Sequence, residues 1–92
     1  MIEKVKTALR IKTFAFDDEI NNLIESAKLD LGIAGVVMSG DIDALCTTAI
    51  ITYCRMRFGS PEEYDRLKAS YDEQKAQLSM ATGYTNWGGG NG

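Results

Sequence analysis

Asp41-Ile42-Asp43-Ala44-Leu45-Cys46-Thr47-Thr48-Ala49-Ile50-Ile51-Thr52-Tyr53-Cys54-Arg55-Met56-Arg57-Phe58 is the stretch on which the fold turns. Ile42, Leu45, Cys46, Ala49, Ile50, Tyr53 and Cys54 recur at spacings of three and four, the signature of one helical face. Ala44, Thr47, Thr48, Ile51 and Thr52 fill the other side, and none of them is charged. A helix apolar or neutral nearly all round is covered by neighbours on several sides. The stretch therefore reads as the central helix of a small helical domain.

Toward the C-terminus, Gly59 stops this helix. Ser60-Pro61-Glu62-Glu63 then combines an N-cap, a proline at the first helical position and a glutamate three residues after the serine. It opens another helix, with Tyr64, Leu67, Tyr71 and Leu78 as its apolar stripe, interrupted at Gln74 or Lys75. After Met80 the period is lost. Residues 81–92 carry Tyr84 and Trp87 and end in Gly88-Gly89-Gly90-Asn91-Gly92, a composition expected to be flexible. Toward the N-terminus, Asp17-Asp18-Glu19 opens a helix whose stripe is Ile20, Leu23, Ile24, Ala27 and Leu31. Asp17 or Asp18 is expected to cap it, and Gly32 or Gly35 to end it. Val36 to Gly40 read as a loop, with Ser39 or Asp41 starting the central helix. Residues 2–11 form a short helix with Ile2, Val5 and Leu9 on one face, and Phe14 and Phe16 are expected to pack down as a hydrophobic linker. The expected fold is all-α: a small four-helix bundle around a central apolar helix over residues 1–80, with a flexible Gly-rich tail over 81–92.

Ninety-two residues with 45% apolar content suffice for one modest core. No apolar run approaches the roughly 18 residues of a membrane span, so no membrane contact is expected. Glu3, Lys4 and Lys6 leave no room for an apolar leader, which points to the cytosol as the place of synthesis. Cys46 and Cys54 are eight apart on one helix, about 12 Å of rise at ~1.5 Å per residue, too far for a mutual disulfide. They read as buried thiols. With no histidine and no CxxC, no metal and no cofactor are expected.

The net charge of −3 is unevenly spread. Lys4, Lys6, Arg10 and Lys12 stand near the start against Glu3. Asp17, Asp18, Glu19, Glu25, Asp30, Asp41 and Asp43 follow against Lys28 alone. An acidic chain is a poor candidate for gripping duplex DNA, which requires neutralised phosphates. Adjacent acids at 17–19 point to different helix faces and do not converge on an ion. Asp41 and Asp43 suit a helix start. Thr47, Thr48 and Thr52 lack a histidine to activate them and are expected to bond back to carbonyls. No catalytic constellation emerges, so the chain reads as a non-enzyme. The candidate contacts are partner-binding residues Arg55, Arg57, Tyr84 and Trp87, with Lys4, Lys6, Arg10 and Lys12 as a face toward DNA or a neighbouring subunit. Tyr84 and Trp87 either fold back on the domain or dock on a partner.

Three blocks resemble the head–tail connector family of tailed bacteriophages. Val5-Lys6-Thr7-Ala8-Leu9-Arg10-Ile11 is similar to its opening basic helix. Phe16-Asp17-Asp18-Glu19-Ile20 with Leu23-Ile24-Glu25-Ser26-Ala27-Lys28 is similar to its acid-capped second helix. Ala44 to Arg57, with Phe58, is similar to its central apolar helix. The likeness covers about residues 1–80, and the short loop at Val36–Gly40 and the glycine tail depart from many members. The resemblance implies a structural subunit, monomeric when free, that forms a ring of twelve on the portal protein in the virion. It extends a channel through which DNA passes without being tightly bound. It also offers a platform to the next head–tail joining or tail-completion protein. The alternative is a small nucleic-acid-binding regulator using the basic first helix.

Overall fold

The computed structural model describes residues 1–37 and 43–91, with side chains described up to Ala81. Four helices follow one another: α1 (Ile2–Leu9), α2 (Asp17–Ile33), α3 (Asp43–Phe58) and α4 (Pro61–Asn91). Among the described residues there is no strand. The expectations placed on Ser39, Asp41 and Ile42 lie outside the described residues.

Helix α3 packs against α1, α2 and α4, as its uncharged surface demands. Cys46, Ala49, Ile50 and Cys54 are buried, and so are Val5 of α1, Ile20, Ile24, Ala27 and Leu31 of α2, and Tyr71 and Leu78 of α4. One assignment on α3 needs correcting. Leu45 is 60% exposed, whereas Thr52 and Met56 are buried. These three residues lie on one stripe, spaced by seven and four, so that side of α3 is covered only toward its C-terminal end. The threonines behave as read: Thr47, Thr48 and Thr52 donate their hydroxyls to the carbonyls of Asp43, Ala44 and Thr48, at 3.1, 3.2 and 3.1 Å.

Two helices end in the same device. In α2, the Gly35 N–H donates to the Gly32 carbonyl at 3.0 Å and the Val36 N–H to the Leu31 carbonyl at 3.0 Å. This is a Schellman stop, with Gly35 left-handed at φ 89° and buried Val36 close to Leu31. Of the two glycines that could end α2, Gly35 does so. Gly32 stays inside the helix, where an added Cβ meets nothing within 4 Å. Gly32→Ala is therefore expected to stabilise the domain by up to about 1 kcal/mol, seen as a melting temperature raised by several degrees. Helix α1 closes in the same way: Arg10 N–H to Thr7 O at 3.2 Å and Ile11 N–H to Lys6 O at 2.9 Å. Here the left-handed residue is Arg10, at φ 59°, rather than a glycine. Gly59 has a different reason again. Its N–H donates to the Arg55 carbonyl at 2.6 Å, and a Cβ would stand 2.7 Å from that oxygen, so close approach rather than positive φ calls for glycine.

The link between α1 and α2 differs from expectation in two respects. Phe16 holds the N-cap position of α2, with no side-chain cap bond. Asp17 instead accepts an ion pair from Lys6 at 2.8 Å, so the acid ties two helices together while still suiting the positive end of α2. Phe14 does not pack down. It is 81% exposed, with the Lys6 ammonium 4.7 Å from its ring centroid. Phe16 meets Phe58 edge-on at 5.9 Å.

Helix α4 begins at Pro61, as the Ser-Pro-Glu-Glu run requires. Its backbone stays helical to Asn91, past the end of the apolar period at Met80. The chain has no second proline to forbid this. At ~1.5 Å per residue this helix is about 46 Å long, which sets the 49 Å longest dimension of the molecule.

Candidate partner-binding surfaces

The four cations proposed for one basic face do not share a role. Lys4, Arg10 and Lys12 are exposed. Lys6 is only 6% exposed and is held by Asp17, so its charge is neutralised inside the α1–α2 corner and is not offered to a partner. Arg55 and Arg57 are both exposed in the last turn of α3, where cations suit the negative helix end. They diverge in their surroundings. Arg57 lies 5.3 Å from the Tyr53 ring centroid on the side facing α2 and α4. Arg55 lines a groove with Arg10, Phe16, Phe58 and Leu67. The side chains of Tyr84 and Trp87 lie outside those described.

Sequence reasoning missed a polar junction between α2 and α4. Tyr71 Oη donates to Asp30 Oδ2 at 2.6 Å, and Lys75 Nζ donates to the same oxygen at 3.1 Å. The Tyr71 bond, with help from Lys75, holds the Asp30 carboxyl below its ordinary value despite the opposing effect of burial. Burial first, and the Asp30 bond second, push the Tyr71 phenol upward. Further along, Ser79 Oγ donates to the Ala34 carbonyl at 2.7 Å, at the C-terminal end of α2. These partners are more than forty residues apart in sequence, so no local pattern could reveal them.

A second missed feature is apolar. Leu29 and Ile33 of α2 are 69% and 85% exposed. Each is two residues from buried Leu31, about 200° around the helix at ~3.6 residues per turn, and so on the opposite side from the core. That signal was present in the sequence: the two fall off the Ile20–Leu31 stripe. The thiols are buried, as expected. Burial, with Asp43 nearby, raises the Cys46 pKa, and burial alone pushes Cys54 up to about 11. Neither is a thiolate at neutral pH. Among the described residues, no group of three or more Cys, Asp or Glu side chains could hold a metal ion, and no helix is long and apolar enough to cross a membrane.

The phage connector protein family matches residues 1–85 of the 92. The chain belongs to that family. No curated protein and no solved structure matches it. A phage connector protein is a structural component of the virion, at the join of head and tail, and works through other phage head and tail proteins. The matched span takes in all of α1, α2 and α3 and most of α4. The Lys6–Asp17 tie, the Schellman stops and the Asp30 junction thus all lie within the connector region.

Proposed function

We propose that this connector protein assembles as a ring, with the portal's twelvefold symmetry, on the portal protein. The ring lengthens the DNA channel and presents a platform to the next head–tail joining or tail-completion protein. The family match over residues 1–85 carries this reading. The net charge of −3 supports it, because an acidic wall repels DNA in transit instead of holding it. Exposed Phe14, Leu29, Ile33, Leu45 and Met80 supply apolar surface that a lone subunit leaves in water. Subunits are made in the host cytoplasm, remain monomeric until they meet the portal, and gain avidity from repetition around the ring.

The test is to mix the purified chain with its portal protein and follow sedimentation and negative-stain images. Rings on the portal, with monomer in its absence, are the expected result. Unchanged monomer beside portal refutes the proposal. A gel shift at low salt addresses nucleic acid. Lys4 and Lys12 are the positions to reverse, since reversing Lys6 would break the tie to Asp17. Tight, salt-steep binding lost in that variant would favour a nucleic-acid regulator instead.

The tail also enters the proposal. Leu78 is the last buried side chain among those described, and Met80 is 71% exposed. Removing residues 81–92 should therefore leave the circular dichroism melt unchanged while weakening portal capture, if Tyr84 and Trp87 dock there. Equal capture by the shortened chain would assign the docking to the bundle.

A further inference from the structure

Arg10 is the only non-glycine residue at positive φ among those described. Its position in the α1 stop is one that glycine fills without strain, as Gly35 does in α2. An L-residue there is strained, because its Cβ crowds the following carbonyl oxygen. Strain kept where a simple substitution would relieve it points to a use for the side chain.

The surroundings indicate what that use is. Arg10 lines an open groove of about 490 Å³ between the C-terminal ends of α1 and α3 and the start of α4. Its apolar lining includes Leu9, Phe16, Phe58 and Leu67, and its second cation is Arg55. Neither Arg10 nor Arg55 makes a side-chain hydrogen bond or ion pair among the described residues. The groove's acid, Glu63, is already paired with Arg66 at 2.9 Å. On a protein of net charge −3, this groove is a local site of uncompensated positive charge with aromatic walls. The helix dipole favours a cation at both places, Arg55 in the last turn of α3 and Arg10 at the end of α1, but it does not ask for a non-glycine residue at a left-handed position. Residues 74–92 are a poor occupant, since none of them is an aspartate or glutamate.

We propose that this groove docks an acidic, apolar-anchored segment of a partner protein. Two carboxylates meet Arg10 and Arg55, while a leucine or aromatic side chain enters between Phe16 and Leu67. Planar guanidinium groups suit carboxylates by paired N–H donation, and the apolar walls favour a peptide over a nucleic-acid backbone. The inference concerns one groove and does not depend on ring formation.

The test uses the full chain and a panel of labelled synthetic peptides. Each carries two glutamates at varied spacing around a leucine or phenylalanine, and each has a glutamine twin. Fluorescence anisotropy reads the affinity. At least one glutamate peptide should bind, and its glutamine twin, Arg55→Ala and Arg10→Gly should each weaken binding about tenfold. Arg10→Gly should also raise the melting temperature by about 4–8 °C, because it relieves the left-handed strain. That pairing of higher stability with lower affinity is not produced by a merely structural arginine. Absence of binding across the panel, equal binding by the glutamine twins, or unaltered affinity in Arg10→Gly overturns the proposal. So does a DNA oligonucleotide that binds more tightly than every peptide and is lost in the same variants. Portal-dependent rings are scored separately, so the failure of either idea leaves the other standing.

Discussion

Ile50→Asp is expected to abolish folding at neutral pH. Ile50 is 1% exposed on α3, the helix that touches the other three. Replacing it removes a large apolar side chain, worth about 2–5 kcal/mol by analogy with large-to-small core changes. It also buries a carboxylate among apolar neighbours, which adds several kcal/mol or forces the group to take up a proton. A domain of this size has roughly 5–10 kcal/mol in total, so the two losses together exceed the reserve. Circular dichroism should show no cooperative melt at neutral pH. Ile50→Val, costing about 0.5–1.5 kcal/mol, should melt a few degrees early. A near-normal melt for the aspartate variant would remove α3 from the centre of the fold.

The second large effect is at Tyr71, which is 2% exposed. Its ring meets Tyr53 edge-on at 5.3 Å, Lys75 stands 5.3 Å from its centroid, and its hydroxyl reaches Asp30 at 2.6 Å. Tyr71→Ala should cost about 3–5 kcal/mol through the lost ring alone. Tyr71→Phe should cost about 1–2 kcal/mol, because only the hydrogen bond to a partly exposed carboxylate is lost. Asp30→Ala leaves the buried hydroxyl without its acceptor, and a double-mutant cycle with Tyr71→Phe isolates the coupling.

The pH dependence of this junction follows from the two shifts. The Asp30 pKa is lowered on folding, chiefly by the Tyr71 bond. Its contribution is therefore present above the ordinary aspartate range and lost as pH falls below about 4. The Tyr71 pKa is raised by burial and by Asp30. Its contribution is complete below about pH 10 and lost as pH climbs further. Urea midpoints across pH should fall at both ends in the native protein. The fall should be shallower in acid for Asp30→Asn and in alkali for Tyr71→Phe.

Residues and spacings within one helix were legible in advance; relations between helices were not. The Ile20–Leu31 stripe, the proline start of α4 and the back-bonded threonines all depend on neighbours three or four positions away, and all hold. Leu45 was misplaced because α3 is neutral nearly all round and lacks the polar face that would orient it. The lengthwise change in cover, from exposed Leu45 to buried Met56, is set by other helices. Lys6 looked like surface charge because nothing local announces an aspartate eleven positions on as its partner. That Arg55 and Arg57 end α3 was legible in the sequence. Their separation into two different settings required the positions of Tyr53 and Arg10.

The order in which the helices pack has one more consequence. Each helix lies against the next along the chain, α1 on α2, α2 on α3 and α3 on α4, and the longer steps are α1 on α3 and the polar junction of α2 with α4. Topologies closed by such nearby partners reach the native state in about microseconds to milliseconds. If the proposed assembly holds, folding of a newly released subunit is then not the step that sets its pace.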